Sequence, residues 1–417
     1  MEASLKLGNG NWATKEDSLL SYSDENGNFR PLPFDFTRGS TATVINKAGL
    51  METVDSGIAR IDFQGTADGS LLLEPASTNL ITYSEDSSWS SWSKTSVSIT
   101  PNVLISPTGN MTASKLVESL DDDNHFTQLN INNIPDTDYT YSVYVSKTHT
   151  RNVQLNIGAS RLKANYDLIG GVVSAVSSNG TDFNNESATI TSVGNFYRLT
   201  LSGHSITNAG NYIRIALISG STRFYQGDGV SGIYIWGAQL EALPYATSYI
   251  PTNGTAVTRA ADTCIGAGDV TTFNSEEGVL FVDVNPLDTD PLDTTIFKGI
   301  GIGQVTGDSL WVYITYDNKI SAQIRIGGVT QFYLLSNVII SDFIKVAFKW
   351  SANDFSLWVN GNEEDSSSVG NLLPANTLQS LQFKVPGASN NFYGKTKQLQ
   401  VFKTALTDAE LQTLTTL

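Results

Sequence analysis

IYIWGAQLEALPYATSYIPT, residues 233–252, puts large apolar side chains on both sides of a strand and then stops at Leu243-Pro244 in an extended, turn-rich tail. Trp236 in this strand has two readings. Its ring is either a platform on which a ligand such as a sugar stacks, or a side chain buried between layers. Side chains alternate along a strand, so Ile233 and Ile235 share one face and Tyr234 and Trp236 the other. A strand apolar on both faces is one covered on both faces. The sequence therefore predicts that Trp236, with Tyr234 and Tyr225, belongs to the core of a β-sandwich, and that the tail is a connector.

Working outward, residues 81–250 carry further strand-like runs at sandwich spacing: Tyr139–Lys147, Asn152–Ser160, Phe196–His204, Tyr212–Ser219 and Gly232–Glu241. Leu199 and Leu201 alternate with Arg198 and Thr200, as in a half-buried strand. Gly170-Gly171, Asn179-Gly180 and Asn184-Asn185 supply turns. This region is predicted as a jelly roll. After an extended connector at 251–262, residues 263–417 hold a second set of antiparallel-sheet runs. Among them KVAFKWSANDFSLWVNG is a hairpin turning at Ala352-Asn353-Asp354. Thr407 with Glu410 forms a capping box that opens a short C-terminal helix. Residues 1–80 scatter Gly, Asn and Pro among short apolar pieces, with Ala59–Phe63 and Ser70–Leu73 as short strands. They read as an arm or small β module that packs on other copies of the chain. The fold class expected is all-β, two sandwiches behind an arm.

Composition agrees. The 417 residues exceed one ordinary sandwich. Only 16% are charged, and polarity comes from Ser, Thr, Asn and Gly, which suits strands and turns. A formal charge of -16 repels phosphate backbones and argues against nucleic-acid binding. One cysteine, Cys264, allows no intrachain disulfide. MEASLKLGNG lacks a basic segment followed by an apolar run, so no secretory signal is expected, and no apolar run is long enough for a membrane span.

No catalytic pattern emerges. Asp121-Asp122-Asp123, Glu276-Glu277 and Glu363-Glu364-Asp365 lie in polar loops or turns, where carboxylates stay ionised, and none faces the apolar wall that a glycosidase acid needs. His125, His149 and His204 lack metal-ligand spacing. In KGIGIGQVTG, residues 298–307, Gly-x-Gly is not followed by a helix, so the glycines are assigned to a turn or bulge. No enzyme and no cofactor are expected. The binding candidates are aromatic: Trp89 and Trp92 near the start of the central region, and Trp311, Tyr313 and Trp358 with Asn360 in the C-terminal one. Each has core packing as its competing role. Asp317 and Asp354 are turn residues whose oxygens also suit a calcium ion, and turn chemistry explains them equally.

Three stretches carry a resemblance. FDFTRGSTATVINKAGLMETV followed by LLLEPASTNLITYSED resembles the N-terminal signature of a family of tailed-phage virion proteins. FYRLTLSG and RFYQGDGVSGIYIWGAQLEALPYATSYIPTNGTAVTRAAD resemble its central signature, and KQLQVFKTALTDAELQTL looks like the last strand and helix of concanavalin A-like, laminin G-type domains. The resemblance implies a fibre, spike or decoration protein of a phage particle, made in the host cytoplasm and carried on the virion. It also implies a carbohydrate-binding-module-like jelly roll at its centre. Such modules often hold calcium, but Gly237-Ala238-Gln239-Leu240 supplies no aspartate pair for one. The expected partners are other virion proteins, further copies of itself as a homotrimer, and a host-surface glycan bound at the distal sandwich. A decoration protein without a host ligand and a polysaccharide depolymerase are the alternatives.

Overall fold

The computed structural model describes residues 2–9, 34–85, 90–131, 135–158, 161–208, 212–287, 298–303, 307–315, 317–340, 342–386 and 391–417. Within 10–33 it describes only the backbone of four two-residue strands. The chain is nearly all β, as expected, and the helix among the described residues is Asp408–Thr415. It forms two compact units. One comprises 42–53 and 76–259, the other 1–41, 54–75 and 260–417.

The central unit stacks two six-stranded antiparallel sheets. The first runs Ser93–Thr95, Phe126–Asn130, Tyr212–Ile218, Asn152–Ile157, Leu162–Asp167, Val172–Ser178. The second runs Val97–Ile105, Met111–Glu118, Gly232–Glu241, Thr137–Ser146, Phe196–Ser205, Phe183–Val193. Between them lies one core that includes Val153, Leu155, Ile213, Ile215, Leu199, Leu201, Ile233 and Ile235. The second sheet is covered on its outer side too. Trp236, Tyr144 and Phe196 form a separate cluster there with Met51 and Tyr249, from the hairpin Ala42–Ile45/Met51–Val54 and from the tail. Trp236 is thus a core residue, 4.7 Å from the Tyr249 ring and 5.4 Å from that of Tyr144.

Polar groups lock this arrangement. Pairing with Thr137–Ser146 slips by one register step beside Gly237, whose φ of 62° places it in the left-handed region. A Cβ there would sit 3.1 Å from the Tyr144 ring. The fully buried Glu241 carboxylate accepts hydrogen bonds from Ser77 Oγ (2.7 Å), Gln239 Nε2 (2.7 Å), Thr247 N (3.0 Å) and Thr247 Oγ1. Gln239 Oε1 in turn accepts from Ile250 N, and Asn79 Oδ1 from Ile81 N and Leu240 N. The tail does not run free after the strand: Val257–Arg259 pairs with Ser77–Asn79.

The other unit builds residues 1–41 and 54–75, read from the sequence as part of an arm, into its own fold. Its larger sheet runs Asn362–Ser367, Phe355–Val359, Ile344–Trp350, Gly278–Pro286, Gly394–Phe402, Ser70–Leu73, Arg60–Asp62, with Leu5–Gly8 also paired to Gly394–Phe402. The facing sheet runs Val329–Ile339, Lys319–Ile326, Ser309–Ile314, Lys298–Gly303, Leu381–Gln382. Leu5, Leu7, Phe34, Phe36, Leu71 and Leu73 share a core with Trp350, Phe355 and Leu357. Early residues are needed because they complete a sheet that the C-terminal residues begin.

Arg60, buried in this unit, pairs with Glu74 (2.7 Å) and Asp262 (2.5 Å), and Arg38 pairs with Asp262 (3.2 Å). The hairpin at 352–354 and the capping box at Thr407 and Glu410 form as expected. KGIGIG differs. It is a strand, and its glycines admit close neighbours: a Cβ on Gly299 would lie 2.6 Å from the Val312 carbonyl oxygen, and one on Gly301 2.6 Å from Pro386.

Candidate functional site: a polar sheet face on the central unit

Of the two sheets of the central unit, the second has an apolar outer side that the chain itself covers, whereas the first turns polar side chains outward. In Asn152–Ile157 the core takes Val153, Leu155 and Ile157, so Asn152, Gln154 and Asn156 point away from it. By the same alternation Leu162–Asp167 sends out Lys163, Asn165 and Asp167, and Tyr212–Ile218 sends out Tyr212, Arg214, Ala216 and Ile218. Register then sets Gln128 opposite Arg214, Arg214 opposite Asn156, Asn156 opposite Lys163 and Lys163 opposite Ser177. The result is a polar row crossing five strands, with neighbours about 4.8 Å apart.

Arg214 is 9% exposed. Its guanidinium lies 3.7 Å from the Phe126 ring centroid and 5.0 Å from that of Tyr212, and Nη2 donates to Gln128 Oε1 at 2.9 Å. Nε has no partner, and no carboxylate pairs with this cation among the described residues. Burial, with Arg223 nearby and Tyr212 opposing, holds the guanidinium below its ordinary pKa, although an arginine remains charged in any case. Gln154 donates to Asn165 at 2.6 Å. Asn156 is fully buried, and among the described residues neither its amide nitrogen nor its amide oxygen has a hydrogen-bond partner.

At one end of the same face, where Asn152 stands opposite Ile218, a cleft of about 360 Å³ opens between His149, Thr150, Arg151, Asn152 and the exposed Ile169. Its cation is already committed. Arg151 grips both oxygens of the buried Glu118 (2.6 and 2.8 Å), which also accepts from Tyr225 Oη (2.7 Å) and Asp228 N (2.9 Å). Burial and the Glu118 carboxylate push the Tyr225 phenol up. Hydrogen bonds from the backbone and hydroxyl of Ser231 and from Val230 N hold Asp228 far below the usual carboxylate range. This network braces the cleft wall.

The aromatic candidates are placed otherwise. Trp89 lies outside the described residues. Trp92 is 2% exposed, inside the central core. Trp311 and Tyr313 share the strand side opposite Leu310, Val312 and Ile314, where Trp311 is buried and Tyr313 half-buried. Trp358 is buried with Phe281 and Leu411, its indole donating to Ser356 Oγ at 3.0 Å. Neither Trp92, Trp311 nor Trp358 therefore offers a ring face to a sugar. Asn360 is a turn residue at φ 48°, accepting from Lys345 N. Asp317 is taken by Thr315 and Lys319, and Asp354 by Lys349. Among the described residues no three His, Cys, Asp or Glu side chains converge as a metal site.

Gln128, Asn156, Lys163 and Arg214 were not among the sequence candidates. Their signal is the alternation of amides and cations with aliphatics in NVQLNI, RLKANY and YIRIAL. Chemically the face offers amides that donate and accept, two cations and two rings, which is equipment for holding a polyhydroxylated ligand.

Fold and face together define an antiparallel β-sandwich protein with a polar sheet surface. No protein-family model matches the chain, and no curated protein matches it. Among solved structures it is similar to the CBM40 of the Ruminococcus gnavus IT-sialidase bound to alpha2,3 sialyllactose, at 18% identity over 36% of this chain and 93% of that one, TM-score 0.31. It is also similar to domain 4 of the Geobacillus stearothermophilus arabinanase AbnA in complex with arabinotriose, at 14% identity over 41% and 82%, TM-score 0.30. A third similarity is to domains LG4-5 of the mouse laminin alpha1 chain, at 11% identity over 69% and 90%, TM-score 0.24.

Proposed function

We propose that this chain is a non-enzymatic fibre or spike protein of a tailed-phage virion that attaches to host-surface glycans through the polar face of its central sandwich. The observation that carries the glycan reading is the outward polar row that crosses five strands, in which Gln128, Tyr212 and Lys163 are half-buried and reach the surface. A sugar hydroxyl, both donor and acceptor, matches amides and cations on such a face, and a ring beside them matches its apolar side. The virion assignment is supported by the FTRGSTAT, LLLEPASTNL and IYIWGAQLE signatures. With it come the other proposed partners, namely virion proteins and two further copies in a homotrimer, so that individually weak contacts add through linkage. Binding moves from the distal sandwich to the central unit because Trp311 and Trp358 of the distal sandwich are buried.

The test is a glycan array probed with the full chain and with the double variant Gln128→Ala/Lys163→Ala, at two half-buried positions of the face. Retention of host-envelope sugars by the former and at least about tenfold weaker retention by the latter is expected. Equal binding by both would remove the face from the reading. A decoration protein without a host ligand is the second reading, favoured by the structural use of the signature residues Asn79, Glu241 and Asp262 as buried anchors. It predicts no retained glycan at any valency.

A further inference from the structure

The cleft at the end of the first sheet's outward face holds the histidine that the fold leaves uncommitted. His125 has the Ser96 and Tyr225 carbonyls at its two ring nitrogens, and His204 Nδ1 bonds Asp138 at 3.0 Å. His149 lines the cleft half-buried and makes no hydrogen bond, ion pair or ring contact with any described residue. Beside it Asn152 Oδ1 accepts from Leu168 N at 3.0 Å, which leaves Nδ2 as a donor. Two aliphatic side chains share the lining, the buried Ile218 and Ile169, which is 85% exposed. Single exposed aliphatics are ordinary, but this one borders a volume of about 360 Å³, within the range of about 300–1,000 Å³ usual for ligand sites.

Charge narrows the ligand. Arg151 in the lining is held by Glu118 and Asp228, and Asp167 on the same face accepts from Ile169 N at 3.1 Å. Three carboxylates thus stand near the cleft against one guanidinium, and an anionic ligand meets no free guanidinium or ammonium there. Resting on the glycan reading, we infer that the cleft is a second contact on this face and takes a neutral sugar ring. Ile169 and Ile218 meet its apolar side, and His149 and Asn152 Nδ2 meet its hydroxyls. A neutral imidazole offers one nitrogen that donates and one that accepts, and a hydroxyl does both. Asn152 and Asn156 lie four residues apart on one strand, so the cleft stands about 13 Å from the polar row. A single ring in the cleft does not reach that row.

The experiment titrates the full chain with lactose, maltose and chitobiose, and with sialyllactose and glucosamine as charged probes. It follows affinity together with the imidazole NMR signals, of which the His149 signal is the one missing from His149→Ala. At least one neutral probe should move that signal. Ile169→Ser, at an exposed position where the melting temperature should stay unchanged, should weaken the same probe at least about tenfold, while Gln128→Ala/Lys163→Ala leaves it bound. A neutral probe lost in Gln128→Ala/Lys163→Ala but not in Ile169→Ser, with the His149 signal unmoved, overturns the cleft and leaves the glycan reading standing. Tighter binding of sialyllactose or glucosamine than of every neutral probe overturns neutrality. An unmoved His149 signal with every probe, together with no glycan retained on the array, overturns both.

Discussion

Trp236 shows how one side chain separates building from binding. Its ring packs against Tyr144 and Tyr249 on the outer side of the second sheet, in a cluster that also holds Met51 and Phe196. Truncation to alanine should cost about 3–5 kcal/mol, since a buried indole leaves a large cavity. Denaturant unfolding checks that loss, and glycan retention by the surviving folded fraction should match wild type. A drop in retention at constant folded fraction would return Trp236 to the ligand. Asp283 tests the electrostatics of the other unit. It is 8% exposed, and burial raises its carboxyl pKa against the opposing pull of Lys397 and Lys345. A folded pKa above the unfolded value of about 3.9 means that its contribution is fully present below that pH. It is lost as pH rises through the folded value. Asp283→Asn should therefore melt higher than wild type at pH 7, with the gap closing below about pH 3.9; a constant gap across pH would refute this. At this scale the burial of Trp236 was legible because both faces of its strand are apolar. Asn156 and Arg214 were not, because an outward polar residue on an alternating strand looks like any solvent-facing one. Only the register shows that the cation has no acid opposite it.

At the scale of elements, local chemistry was readable and pairing was not. The turn at Ala352-Asn353-Asp354 and the capping box at Thr407 involve residues within a few positions of each other, and both formed as expected. Leu5–Gly8 pairs with Gln398–Val401 across nearly the whole chain, and no local pattern encodes such a partner. KGIGIG was assigned to a turn because glycine usually marks one. The reason it is a strand, close approach of Val312 and Pro386, lies far along the sequence. The signature strand shows a third case. Gly237 bends it, and Glu241 then gathers Ser77, Gln239 and Thr247 from three segments. Glu241→Ala would leave Ser77 Oγ and Thr247 N without this acceptor and Gln239 and Thr247 Oγ1 with only long bonds to backbone carbonyls, at about 1–3 kcal/mol for each group left unmet. The expected outcome is loss of several kcal/mol from the central unit, seen as faster amide exchange in Gly232–Glu241 and in the Ser77–Asn79/Val257–Arg259 pair. Unchanged protection there would show that the carboxylate is dispensable.

For the whole molecule, chain order and spatial order differ. The sequence suggested a serial plan of arm, sandwich, connector and sandwich. Instead the unit that contains the C-terminus also takes 1–41 and 54–75, and the central unit takes the 42–53 hairpin. A serial plan predicts that residues 260–417 fold when expressed alone. The observed pairing predicts that they do not. Removing the N-terminal segments strips Leu5–Gly8 and Ser70–Leu73 from Gly394–Phe402 and exposes the core face that Leu5, Leu7, Phe34, Phe36, Leu71 and Leu73 cover. It also removes Arg38, Arg60 and Glu74, leaving Asp262 buried without its cations. Burying an unpaired carboxylate is strongly unfavourable, and an uncovered strand edge pairs with other chains. The fragment should therefore aggregate or lack a cooperative melt. Adding residues 1–41 and 54–75 back, joined to the fragment's N-terminus through a short linker replacing the central unit, should restore one cooperative transition. A soluble 260–417 fragment with a sharp transition of its own would mean that the early strands decorate this sandwich rather than complete it.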